Sequence, residues 1–171
     1  MGPTTLLMQI HPRPAVEFPS FSLEINVRNS LNRSEECFAQ AAGLYGFQVE
    51  DLAAVVANLR ETLTYDHEML SVFKAIKQNP GVEIALISNI SEMEYHALRH
   101  RWHDSFWSTF DHVFPSWMLG VRKPSLRFYR HVLRATRSAP RKTFIVDDRP
   151  ENVLAALSLG VRGTVSTLEL S

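Results

Sequence analysis

The run Phe144-Ile145-Val146-Asp147-Asp148-Arg149-Pro150-Glu151-Asn152-Val153 carries most of what this chain says about itself. An apolar segment of strand character ends in two adjacent acids, and a proline then opens a helical phrase, where its fixed φ suits a first turn. Two like charges at the end of a buried strand are costly unless a cation shares them. Mg2+ is one such cation, since it takes one or two carboxylates together with water and a substrate phosphate. A helix N-cap acid with a second acid beside it is the plainer alternative. In an α/β sheet the carboxyl end of a strand is also where ligands bind.

Two further pieces lie upstream. Val82-Glu83-Ile84-Ala85-Leu86-Ile87 is a second apolar strand and runs into Ser88-Asn89-Ile90-Ser91. Gly120-Val121-Arg122-Lys123-Pro124 sets a lysine before a helix that Pro124 is expected to start at its first position. A hydroxyl, an ammonium and an acid pair at the ends of neighbouring parallel strands suit a phosphoryl group: a small donor, a point cation and a metal to offset oxyanion charge.

The rest of the chain predicts an alternation of strand and helix: strand 82–87, helix 91–102, strand 112–114, helix 125–137, strand 143–147, helix 150–159 and strand 162–166. Such alternation predicts an α/β fold with a parallel sheet. Residues 31–79 are helical in spacing. Phe38, Ala41, Ala42 and Tyr45 share one face, and Leu52, Val55, Val56 and Leu59 another. Asp66 is placed to cap the helix that leads back into the core. Residues 1–30 are broken by prolines, with Thr4 to Ile10 as one core strand and His11-Pro12-Arg13-Pro14 ending it.

Ile87-Ser88-Asn89, Arg122-Lys123-Pro124 and Val146-Asp147-Asp148, with Asn152 beyond, resemble motifs II, III and IV of the haloacid dehalogenase-like hydrolases, from about Glu35 to the C-terminus. The resemblance implies a Rossmannoid parallel sheet with helices on both faces and a small α-helical cap at 31–79. It implies that Ser88 hydrogen-bonds a transferring phosphoryl group, that Lys123 neutralises it, and that Asn89 joins them in binding the substrate. Asp147 and Asp148 would hold Mg2+ as cofactor. The first motif of that family, an Asp-x-Asp on the central strand, has no counterpart. No aspartate precedes Asp51, and Glu17, Glu24, Glu35 and Glu36 stand in no comparable setting. Thr4 to Ile10 is expected to fill the central slot without the acids. A narrower resemblance, through Ser88 to Arg99, Phe110 to Phe114 and Phe128 to Leu133, is to fungal members: the phosphatase-like domains of drimane-type terpene synthases and their stand-alone phosphatase cousins. It implies a terpenyl phosphate as substrate.

Composition bounds the remaining classes. Acidic and basic residues balance at 18 each, against a nucleic-acid partner. Hydrophobic residues make up 45%, enough for a true core. No run reaches membrane-spanning length, no membrane partner is expected, and the N-terminal apolar stretch is too short for a signal peptide. The single Cys37 fits a reducing, cytoplasmic setting and reads as a small buried hydrophobe. His96, His100 and His103 have only Asp104 nearby to complete a zinc site, and Trp102 to Trp117 read as core aromatics. Two functions stand together: a Mg2+-dependent phosphomonoester hydrolase acting on a small phosphorylated molecule, and a catalytically silent relative that binds such a ligand or a protein partner. Dehalogenation ranks third, since it too needs the missing aspartate.

Overall fold

The computed structural model describes residues 3–8, 33–62 and 64–166, with backbone alone at 33–37, 41, 59, 60 and 62. Five short apolar runs form one sheet: β1 (Thr4–Met8), β2 (Val82–Ser88), β3 (His112–Pro115), β4 (Thr143–Asp147) and β5 (Arg162–Val165). Their spatial order is β3-β2-β1-β4-β5, every neighbouring pair parallel. Thr4 to Met8 therefore does occupy the central slot, hydrogen-bonded to β2 on one side and β4 on the other. Gln9 and Ile10, Glu17 and Glu24, and the side chains of Glu35, Glu36 and Cys37 lie outside the described residues.

Period-two alternation sends Leu7, Ala85, Ile87 and Ile145 to one face, where they pack with Phe128, Tyr129, Val132, Val153 and Ala156. Leu6, Met8, Ile84 and Leu86 point the other way and are as well buried, so both faces are covered, the condition of a parallel sheet. The fold is thus an α/β, Rossmann-like one. Helix-forming phrases connect the strands. In chain order they give α1 (Arg33–Tyr45), α2 (Val49–Thr62), α3 (His67–Lys77), α4 (Glu92–Arg101), the short α5 (Asp104–Trp107) and α6 (Ser116–Leu119), α7 (Leu126–Ala135) and α8 (Pro150–Leu157).

Local chemistry fixes where these helices begin. Asp66 caps α3 as expected, accepting from the Met69 N–H at 2.9 Å. Ser91 and Glu94 form a reciprocal capping box at α4. Pro150 opens α8 at its first turn. The expected start of α7 at Pro124 is corrected: Ser125 is the N-cap, the helix begins at Leu126, and the Lys123-Pro124 peptide is cis. His103 serves α5 as a cap, its ring Nδ1 accepting from the Ser105 N–H at 3.1 Å. Trp102, Phe106, Trp107 and Phe110 are buried, Phe106 packing edge-on against the other three.

Residues 12–65 form a compact unit apart from residues 1–11 and 66–171. The two units divide at Tyr65/Asp66, ahead of residue 79, so α3 falls with the sheet. Leu70 and Phe73 are the reason: both are buried, and α3 packs against β2 as part of the sheet unit. In the helical unit α1 packs on α2, and Gly46, at φ 73°, ends α1 in the left-handed region glycine tolerates. Ala42 is buried, but Tyr45 and Val55, expected on apolar faces, are 55% and 48% exposed.

Candidate functional site

Ser88 is the last residue of β2 and Asp147 the last of β4, on either side of the carboxyl end of β1. Lys123, carried on the loop after α6, bridges them. Its Nζ donates to Asp147 Oδ2 at 2.6 Å and lies 3.5 Å from the carbonyl of Ile87, the neighbour of Ser88. The end of β2, the lysine and the first acid therefore come together.

Lys123 and Asp147 are each about 1% exposed, so the pair is dry. A buried carboxylate is tolerated only when its lone pairs are satisfied. Asp147 meets this on both oxygens: Oδ1 accepts from the Arg149 N–H at 3.1 Å and from Asn152 Nδ2 at 2.9 Å. Asn152 is itself held, its carbonyl accepting from the Tyr129 hydroxyl at 2.9 Å. Burial pushes the Lys123 ammonium down to about 8, against the upward pull of Asp147 and, more weakly, Asp148. Burial, with Asp147 and Glu151 nearby, carries the Tyr129 phenol above its ordinary value, so it stays a donor.

Asn89 grips the lysine loop. Its Nδ2 donates to the Lys123 carbonyl at 2.9 Å and its Oδ1 accepts the Lys123 N–H at 2.8 Å. The amide is committed to the backbone of Lys123, so Asn89 positions the lysine. Ser88 is half-buried and Asp148 exposed, within electrostatic reach of Lys123. Asn152 and Tyr129 were not among the expected site residues. Asn152 carried a signal in the motif that follows the acids, whereas Tyr129 reads in sequence as one more apolar position of α7.

The fit to Mg2+ is tested by the donor set. Carboxylate oxygens are the ligand type Mg2+ takes when water and phosphate complete its shell, but both Asp147 oxygens are engaged by Lys123, Arg149 and Asn152. Among the described residues no group of three His, Cys, Asp or Glu side chains is arranged for a metal. The acid pair thus fits Mg2+ in ligand chemistry, with Asp148 the exposed carboxylate and Asp147 open to a metal only by exchanging a present partner.

A central parallel strand flanked by a serine-ended strand and a lysine-paired acid defines a hydrolase core of the haloacid dehalogenase type. The chain belongs to that family: the model of the haloacid dehalogenase-like hydrolases matches residues 17–160. Two fungal relatives narrow the resemblance. One is the sesquiterpene phosphatase astK of Aspergillus oryzae, 33% identical over 129 residues, covering 75% of this chain and 64% of the relative. The other is the drimenol cyclase drtB of Aspergillus calidoustus, 32% identical over 133 residues, covering 77% of this chain and 25% of the relative. The chain thus spans less than two thirds of either. Among solved structures, a HAD family enzyme from Bacteroides thetaiotaomicron in complex with magnesium and inorganic phosphate has the same fold, at TM-score 0.74 and 14% identity over 99% of this chain and 96% of that one. No helix among the described residues is long and apolar enough to cross a membrane.

Proposed function

We propose that this chain is a phosphatase-type member of its family whose site takes the phosphoryl group of a small phosphomonoester, with a phosphorylated terpene alcohol as the substrate class. The observation that carries the reading is the Lys123 ammonium, buried between the ends of β2 and β4 and paired with Asp147. In low dielectric such a charge attracts an oxyanion far more strongly than it would in water. The names of the two fungal relatives support the terpenyl class.

The residues divide the work. The Ser88 hydroxyl donates to one phosphoryl oxygen, and Lys123 offsets the charge on another. Asn89 holds the Lys123 backbone, while Asn152 and the Arg149 N–H orient Asp147. Mg2+, held by Asp147 and Asp148, would supply further neutralisation of the phosphoryl oxygens. In sequence, α1 and α2 fall where the family carries its cap, and we assign them the choice of substrate.

A second reading, ligand binding without turnover, is favoured by one sequence fact. The residues after β1 are Gln9-Ile10-His11, and no aspartate precedes Asp51. A glutamate elsewhere does not substitute readily, since in-line attack demands placement within a fraction of an ångström. Phosphate release from farnesyl phosphate and from a generic aryl phosphate, with and without Mg2+, separates the two readings. Release that is lost in Asp147→Asn supports the enzyme. Calorimetric binding of inorganic phosphate with no release supports the silent relative. Neither release nor binding overturns both.

A further inference from the structure

From His112 to Val146 the chain has no acid, yet in that stretch stand Arg127, Arg130, Arg134, Arg137 and Arg141. The structure gathers them. On α7, Arg127, Arg130 and Arg134 fall with His131 inside an arc of about 100° of the helix surface. Phe128, Tyr129 and Val132 fill the opposite arc and are buried. Arg137 and Arg141 follow in sequence past the end of α7, and all five arginines are exposed. Among the described residues none of the five is in an ion pair.

The neighbouring helix adds the opposite character. α8 packs in the same layer as α7, through Val153 and Ala156 beside Phe128, Tyr129 and Val132. Its outward residues include Leu154 at 64% and Leu157 at 41% exposure, one helical turn apart. The surface thus pairs a row of guanidinium groups with a short apolar ridge.

We infer that the α7–α8 face docks on an anionic lipid bilayer. Basic residues gain from the surface potential of an acidic leaflet, and exposed leucines gain from entering the interface. A flat lipid surface meets this face alone. The one acid on these two helices, Glu151, is exposed on α8 and ion-paired with Arg149; a nucleic acid long enough to wrap the molecule would also meet the other elements, where the remaining acids reside. The chain-wide neutrality that argues against an anionic partner is an average, and the fold segregates the charges it averages. None of the five arginines or the two leucines belongs to the phosphoryl site.

Co-sedimentation of the full chain with phosphatidylcholine vesicles, with and without phosphatidylserine, is the test. Binding is expected only with phosphatidylserine and is expected to weaken as salt rises. A basic residue near an acidic leaflet is worth about fivefold in partitioning, so Arg127→Gln, Arg130→Gln and Arg134→Gln together should weaken it on the order of a hundredfold. Leu154→Ser with Leu157→Ser, at exposed sites, should weaken it at unchanged salt slope. Thermal melts of both variants check that they remain folded, and Arg130→Gln alone gives the smaller, fivefold loss as a second reading. Equal binding to neutral vesicles, no binding to either, or binding to duplex DNA or polyglutamate in place of vesicles would overturn the inference.

Discussion

Lys123 Nζ lies 2.6 Å from Asp147 Oδ2, and neither side chain reaches solvent. This ion pair ties the loop after α6 to the end of β4 and sets the charge of the site. Its desolvation is offset only because Asp147 has two further donors and the lysine backbone is clamped by Asn89.

Breaking that pair from one side should be far more harmful than removing it whole. Asp147→Asn or Lys123→Met alone leaves a buried partner uncompensated and should cost about 3–5 kcal/mol. Lys123→Met combined with Asp147→Leu should cost less than the sum of the two. Urea unfolding of the three variants measures this, and strictly additive losses would contradict it.

Anion affinity should fall as the solution becomes alkaline. Burial brings the Lys123 amine to about 8 from 10.5, so it loses its charge as pH climbs through that lower value. The stability contribution has the opposite sign. Between about 8 and 10.5 the unfolded chain holds a proton that the native state has released, so the cost of burying the charge is relieved as pH rises across this window. Phosphate titrations from about pH 7 to about pH 9.5 check the first statement. A flat profile would mean that Lys123 does not face the anion.

Asn89→Ala removes both hydrogen bonds to the Lys123 backbone. The expected loss is about 1–3 kcal/mol of stability, with a weaker phosphate site. Asn89→Asp keeps the acceptor for the Lys123 N–H and should recover part of it. Full phosphate affinity in Asn89→Ala would remove the positioning role.

Gly163 sits where a Cβ would stand 2.2 Å from Ile145 Cγ2 and 2.6 Å from the Ile145 carbonyl. Gly163→Ala should therefore destabilise by about 1–3 kcal/mol through overpacking. Gly43, inside α1, has nothing within 4 Å of the same added atom. Gly43→Ala should be neutral or stabilising by about 0.5–1 kcal/mol, and thermal melts compare the two.

The strands were legible because their apolar runs are bounded by turn residues. Strand 143–147 was expected with the bounds β4 has, and β2 differs from expectation only by including Ser88. The short α5 and α6 were not legible: at four residues each they carry too little periodicity to register, and backbone capping and packing of Phe106 and Trp107 decide them. The start of α7 was misplaced because a proline is compatible with a helix's first turn and equally with the loop before it.

The order and chemistry of Ser88, Lys123, Asp147 and Asp148 were fixed by the chain alone, since residue type and local spacing need no partner to be read. That Asn89 grips the backbone of Lys123, that Tyr129 holds Asn152, and that the arginines of α7 share a face with Leu154 and Leu157 were decided by folding. Each of these joins residues distant in sequence. Their meeting depends on strand order and helix docking, which are set by burial across the whole sheet and by no local pattern.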